Sequence, residues 1–263
     1  MKLSLTNCFF FLIVFALFSC DKDQSFDENI GIDGNIIKST ITKVDDWVEI
    51  KIPNKNASIT AIYGNIDDTL IVARLFDILI TTDKGKTWNI VAETKRGISG
   101  ITRINNELCA LSTFSVDKGL QFSSSPFFFS QDNGVTWGHE HKYNYEVYDK
   151  LMVVTSKVNL SDDKSVEYRS DQEFQHPKYP SQAKPDLLIM NNAVLEYELE
   201  FPFLKQISYL YRDTNGILYV GARGVKFEPD YSEYNFKTET GTVRYPTSEN
   251  VCYLYYKKIE ASN

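Results

Sequence analysis

The sequence predicts an all-β fold assembled from repeated antiparallel units, and three observations lead there. An eight-residue pattern, Thr81-Thr82-Asp83-Lys84-Gly85-Lys86-Thr87-Trp88, returns 49 residues later as Ser130-Gln131-Asp132-Asn133-Gly134-Val135-Thr136-Trp137, both reading S/T-x-D-x-G-x-T-W. Short runs rich in Ile, Val, Leu, Tyr and Phe flank each copy and break at Asn, Asp or Gly, which is how strands and their turns are spelled. Aromatic residues make up 14% of the 263 residues, and no heptad or low-complexity tract diverts the reading toward a coiled coil or a fibre.

Taken in order, the chain opens with Lys2, an apolar run from Cys8 to Phe18, and Ser19-Cys20. A run this short is a signal-peptide core, because a membrane-spanning helix needs about 20 apolar residues. The ending Leu17-Phe18-Ser19-Cys20 resembles a bacterial lipobox, although Phe18 is larger than most lipoboxes carry. The resemblance implies a lipoprotein signal peptide at residues 1–19 and a lipidated Cys20; the alternative is an ordinary secretory signal with a chance cysteine. Two or three acyl chains at Cys20 would anchor the protein to a membrane, where one chain binds only marginally. Asp21-Lys22-Asp23 is similar to part of the export signal of surface lipoproteins in the Bacteroidetes group, which implies an outer-membrane lipoprotein of the cell envelope facing outward. Residues 20–40, with Gly31, Gly34 and few large apolar side chains, are expected to form the lipid-anchored tether.

The folded domain is read as residues 41–263. Its first strand is expected at Trp47-Val48-Glu49-Ile50-Lys51-Ile52-Pro53, which alternates apolar and polar from Val48 onward. Four short runs follow: Ser58 to Tyr63, Thr69 to Arg74, Asp77 to Thr82 and Trp88 to Glu93. They are split by Asn65 to Asp68, by Leu75-Phe76 and by the first S/T-x-D-x-G-x-T-W turn. Four strands in fewer than 40 residues make one blade of a β-propeller. A second copy starts at Ile98-Ser99-Gly100-Ile101, turns at Asn105-Asn106, runs from Glu107 to Thr113 and resumes at Phe127-Phe128-Phe129-Ser130, with Ser115 to Pro126 read as an insertion.

Beyond Trp137 the repeat blurs. Leu151 to Val154 and Val166 to Ser170 read as strands, Ser170 to Phe174 as an eroded turn lacking Gly and Trp, and Gln175 to Pro185 as an exposed excursion. The blade pattern returns with Ile207 to Arg212, the Asn215-Gly216 hairpin, Ile217 to Ala222 and Val225 to Phe227 as the start of a third strand. The 223 residues from Ile41 suit a small propeller of about four to five four-stranded blades, with an irregular β-sandwich as the alternative. Closing a ring removes exposed sheet edges, and the run around Trp47 is expected to do so by pairing with Val251 to Lys257.

The repeated turn resembles the Asp-box, or BNR repeat, of sialidase-like β-propellers. The resemblance implies a turn between the third and fourth strands of a blade, on the outer rim away from the mouth where ligands bind. The residues that carry it are Thr81, Asp83, Gly85 and Trp88 in the first copy, and Ser130, Asp132, Gly134 and Trp137 in the second. In such a turn the Asp carboxylate accepts backbone N–H groups, Gly supplies a positive φ and Trp packs beneath the loop. Asp83 and Asp132 are therefore expected to fix turns and not to act as acids or metal ligands.

Sialidase chemistry uses three arginines around a carboxylate, a Tyr–Glu nucleophile and an acid Asp. Seven arginines are present, but the family's Arg-Ile-Pro precedes its first box, whereas Arg103-Ile104-Asn105 here follows it and lacks Pro. No catalytic residues are assigned. His139-Glu140-His141 places two imidazoles on one strand face without a third ligand, so no metal or cofactor is expected. Cys109 and Cys252 sit in apolar runs and read as buried thiols. Tyr143 with Tyr145, and Tyr253 with Tyr255, read as core pairs on strand faces.

The net charge of −7, one unit more negative once Lys2 leaves with the signal, opposes nucleic-acid binding. The function expected from these readings is an envelope-anchored, non-catalytic binding or scaffold module for a glycan or another envelope protein; a sialidase-like glycoside hydrolase is the alternative.

Overall fold

The computed structural model describes residues 36–53, 58–139, 144–170, 185–203, 205–227, 236–238, 241–243 and 246–260. Cys20 and the signal peptide lie outside the described residues, as do Glu140, His141, Tyr143, most of the eroded turn and the excursion before Pro185. Strands are numbered in chain order. Three leading strands, β1 (Ile36–Lys38), β2 (Thr40–Val44) and β3 (Trp47–Pro53), come before any complete blade. Blade one is β4 (Ile59–Gly64), β5 (Leu70–Arg74), β6 (Asp77–Thr81) and β7 (Thr87–Glu93). Blade two is β8 (Gly100–Ile104), β9 (Glu107–Asp117), β10 (Leu120–Ser130) and β11 (Met152–Val154), with the single helical turn α1 (Tyr145–Tyr148) before β11. Blade three is β12 (Lys157–Asn159), β13 (Lys164–Ser170), β14 (Pro185–Asn191) and β15 (Val194–Glu198). Blade four starts with β16 (Gln206–Arg212) and β17 (Ile217–Arg223). Two small hairpin pairs follow, made from β18 (Val225–Phe227), β19 (Phe236–Thr238), β20 (Gly241–Val243) and β21 (Pro246–Ser248), and then β22 (Val251–Lys258).

Blade four is completed from both ends of the described chain. Its sheet order is β16-β17-β22-β3-β2, and β3 runs antiparallel to β22 from Val251 opposite Pro53 to Tyr256 opposite Val48. The pairing expected for the Trp47 run is thus present. The four antiparallel sheets make a four-bladed β-propeller, with β4, β8, β12 and β16 as the innermost strands.

Burial explains the strand sequences. Leu70, Ile71, Val72 and Ala73 of β5 are all buried, as are Ile78, Leu79 and Ile80 of β6, because the middle strands of a blade are covered on both faces by neighbouring blades. Strand β3 instead alternates, with Ile50 and Ile52 in one core cluster and Trp47 in a second. Trp47 is 1% exposed; it meets Phe201 edge-on at 5.1 Å and donates from Nε1 to Glu200 O at 3.1 Å. Burying an indole of this kind contributes about 2–3 kcal/mol or more. Tyr253 and Tyr255 stack at 5.9 Å on the same strand, both buried. Cys109 and Cys252 are free and buried.

Several expectations are corrected. Residues 36–40, assigned to the tether, already form β1 and the start of β2: β1 pairs with Thr87 to Asn89 of β7, so the first strand begins ahead of Ile41. Ser115 to Pro126 is no insertion. It is the far half of a long hairpin in which Ser115 opposes Phe122 and Thr113 opposes Ser124, and Ser125 at φ 62° followed by a register shift at Pro126 absorbs the proline. Val225 to Phe227 does not begin the third strand of its blade; it pairs with β21, and β22 takes that place. Tyr145 lies on α1 with its side chain exposed, while Tyr148 is the residue buried there.

Candidate functional site

The two repeated turns share one hydrogen-bond network. In the first, Thr81 Oγ1 donates to Asp83 Oδ1 at 2.9 Å and accepts from Gly85 N at 3.1 Å. Asp83 also accepts from Thr87 N at 3.0 Å and from Thr87 Oγ1 at 2.7 Å, while Trp88 Nε1 donates to Gly85 O at 3.2 Å. In the second, Ser130 Oγ donates to Asp132 Oδ1 at 2.9 Å and accepts from Gly134 N at 2.8 Å. Asp132 accepts from Thr136 N at 2.9 Å and from Thr136 Oγ1 at 2.6 Å, and Trp137 Nε1 donates to Gly134 O at 3.0 Å. Gly85 at φ 78° and Gly134 at φ 90° need the left-handed region.

Burial works to raise the Asp83 and Asp132 carboxyls, but the hydrogen bonds from Thr87 and Thr81, and from Thr136 and Ser130, outweigh it and hold both below the ordinary aspartate value. A carboxylate whose lone pairs are spent on its own turn is a poor base and a poor ligand. Each set of four residues is gathered into one turn, and neither turn reaches the mouth of the ring. Thr81 sits opposite Leu70, which sits opposite Gly64 at the end of β4, whereas the mouth is lined from the other end of that strand.

At the mouth a cavity of about 480 Å³ is lined from all four blades. Blade one gives Ser58 and Thr60, blade two Ser99, Phe114 and Gln121, blade three Thr155 and Tyr168, and blade four Gln206, Ser208 and Arg223. Hydrogen bonds between blades fix these groups. Tyr168 OH lies within donor reach of Gln121 Oε1 and, at 3.2 Å, of Ser208 O. Ser208 Oγ donates across to Ile59 O at 2.6 Å, while within blade two Thr155 N continues the β10–β11 ladder to Gln121 O at 2.9 Å and the Ser99 and Ser123 hydroxyls meet at 2.6 Å. Burial pushes the Tyr168 phenol well above its usual value, helped by neighbouring Tyr209, so it stays a neutral donor. At the rim, Phe114 and Val116 are 55% and 60% exposed.

Arg223 is the one ionisable cation among the described lining residues, and no Asp or Glu is among them. Among the described residues no three His, Cys, Asp or Glu side chains gather closely enough to hold a metal ion. His139 instead packs its ring 4.8 Å from Phe128, with Nδ1 3.1 Å from Phe127 O. Sequence reading had no repeat to lead it to these mouth residues. A signal existed in the small hydroxyl side chains at the start of each inner strand: Ser58 and Thr60, Ser99, Thr155 and Ser156, and Ser208.

The fold and this mouth define a four-bladed propeller with a polar, apolar-rimmed central opening. No family model matches the chain, and no curated protein matches it. Similar solved structures include the WD40 β-propeller domain of Doa1, at 7% identity and a TM-score of 0.32 over 84% of this chain and 96% of that one. The N-terminal domain of Nup159 is 7% identical at a TM-score of 0.20 over 80% of this chain, which spans only 58% of that structure's length. A Penicillium chrysogenum α-L-arabinanase complexed with arabinobiose is 15% identical at a TM-score of 0.25, over 81% of this chain and 67% of that one. At these identities the likeness is one of fold alone.

Proposed function

We propose that this chain is a non-catalytic binding or scaffold module of a bacterial envelope, held to the outer membrane by lipid on Cys20 and facing outward, whose central mouth takes a glycan or a face of another envelope protein. The mouth's chemistry carries the reading. Neutral hydroxyl and amide groups from all four blades converge there, fixed by hydrogen bonds between blades, and the exposed Phe114 ring stands at the rim. Neutral donors and acceptors beside an aromatic face suit the hydroxyls and the apolar face of a sugar ring.

The two turns, with matching Ser/Thr-Asp-Thr networks and a buried Trp in each, support reading them as Asp-boxes and the chain as a BNR-type propeller. Their residues then serve structure, and the ligand side of the ring is the opposite end. The lipobox-like Leu17 to Cys20 supports the anchor.

The test is a glycan array probed with a form starting at Lys22, which retains every described strand, followed by Phe114→Ala on any hit. Binding that falls severalfold in Phe114→Ala at an unchanged melting temperature is the expected result. Silence on every glycan would shift the assignment to a protein partner. Release of sugar from a bound glycan would make the chain a sialidase-like hydrolase. Labelled palmitate entering the wild-type chain but not Cys20→Ala tests the anchor.

A further inference from the structure

Strand β1 covers only part of the outer edge of blade one. It pairs with β7 from Thr87 to Asn89, with Ile36 opposite Asn89, and no described strand continues beside β7 from there to Glu93. The backbone along that stretch is set for one. Thr94 N donates to Phe76 O at 2.7 Å, so Thr94 turns its backbone groups toward β6, and Glu93, one residue earlier, turns its own N–H and C=O outward. An open edge of this kind takes up a further strand.

Beside the edge, between blades one and two, lies a groove of about 470 Å³. Phe127, Phe128 and Trp137 of blade two give it an apolar wall, faced by Val91 and Ala92 of β7. Lys95 and Arg96, both exposed, also line it, against one acid, Glu93, among the described lining residues. The Arg96 guanidinium lies 5.4 Å from the centre of the Phe127 ring.

Because β1 runs antiparallel to β7, the chain traced back from Ile36 heads toward Glu93 and this groove. Its sequence suits both. Ile30 and Ile32 fall at strand period two with Ile36, on the face opposite to the one by which Ile37 joins the core. Ile36 itself is left 62% exposed. Residues 23–35 carry Asp23, Asp27, Glu28 and Asp33 and no lysine or arginine, a charge opposite to that of Lys95 and Arg96.

We propose that residues 30–35 extend β1 along β7 and seat Ile30 and Ile32 in the groove between blades one and two, with the acids before them against Lys95 and Arg96. Burial of two isoleucines and pairing of the open edge drive the docking, while the exposed charges mainly set its direction. The free tether is then residues 20–29, at most about 36 Å when fully extended, against about 58 Å for residues 20–35. The ring is thereby held close to its anchor with blades one and two turned toward it. That consequence rests on the lipid at Cys20 proposed above; the docking does not.

Hydrogen–deuterium exchange of the full-length protein in detergent micelles, read by mass spectrometry, tests it. A synthetic peptide of residues 21–36 gives the unprotected rate, and residues 30–35 in the protein should exchange at least about tenfold more slowly. Ile32→Asp should return them to the rate of the peptide and also speed exchange severalfold from Ile90 to Arg96; the second effect locates the segment on β7. Arg96→Glu should speed residues 30–35 severalfold. Neither change touches a described core residue, so both proteins should still unfold cooperatively. Exchange of residues 30–35 at the rate of the peptide in the parental protein would overturn the proposal. So would Ile32→Asp leaving Ile90 to Arg96 unchanged, which would place the segment elsewhere. Parental protection in Arg96→Glu would overturn the charge match.

Discussion

Gly134 lies so close to Ile71 that a β-carbon added to it would stand 2.3 Å from Ile71 Cδ1. Gly85 has the same relation to Ile50, at 2.5 Å from Cδ1. The glycine of the second turn thus packs on blade one, and the glycine of the first turn packs on β3 of blade four. Each turn glycine sets the distance to the preceding blade as well as the local backbone. Gly134→Ala should cost about 2–4 kcal/mol, combining a left-handed alanine with an overpacked contact. Adding Ile71→Val removes the offending methyl and should recover part of that loss. A double-mutant cycle by urea unfolding checks this, and simple additivity of the two changes would contradict it.

Ring closure through β3 makes Trp47 a stability determinant. Trp47→Ala should lower stability by about 3–5 kcal/mol, the range for truncating a buried aromatic. Deleting the chain through Pro53 should abolish cooperative thermal unfolding, because β22 would lose the partner it holds from Val251 to Tyr256. Calorimetry of the truncated chain showing the parental melting temperature would be incompatible with this closure.

Acid should loosen the turns. Asp83 and Asp132 titrate below the ordinary aspartate value of 3.8 in the folded state, so their stabilisation is fully present above that value and is lost as pH falls through the folded ones. Melting temperature should therefore decline below about pH 4. Asp83→Asn with Asp132→Asn should start lower at neutral pH and show a shallower acid decline, measurable by fluorimetric melts across pH 2 to 7. Parallel profiles for the two proteins would remove these carboxylates as the cause.

The two thiols should be silent in the native state. Burial pushes Cys109 up to about 12, reinforced by Glu107, and burial likewise pushes Cys252 up to about 12 against the opposing effect of Arg74. The thiolate is the reactive form, so iodoacetamide at pH 8 should label neither until the protein is unfolded. Peptide mapping by mass spectrometry reads this directly; native labelling at Cys109 would show that blade two opens.

Blade one was legible in the sequence nearly strand for strand, because Asn65 to Asp68 and the Thr81 to Trp88 turn cut uninterrupted apolar runs at blade spacing. The closing pair was legible too, since Val48 to Ile52 alternates as a strand facing two different cores must. Blade two misled beyond its first strands. In blade one the segment after the turn is the full strand β7, but after Trp137 it shrinks to one bridge between Phe129 and Gly138, and β11 supplies the outer strand from a later stretch of chain. Serines and a proline in β10 look like loop in isolation, and only the register to β9 and β11 shows them as strand. The mouth was illegible for a related reason. Its side chains come from two or more scattered positions in each of four blades, and Thr155, Tyr168 and Ser208 share no spacing that a linear reading could detect.

The bond from Cys252 to Ile52 O joins residues 200 apart, and it belongs to the strand pair that shuts the ring. Contacts of such separation form slowly, because a long loop must close before they return any stabilisation. The order of synthesis therefore matters. A chain halted before Val251 would hold every residue of its first three blades and still leave β3 and β17 with bare edges, the kind of edge that recruits other chains. Such a product holds three blades yet stays open in form, and the arrival of the single strand β22 is what turns an open stack of sheets into a ring.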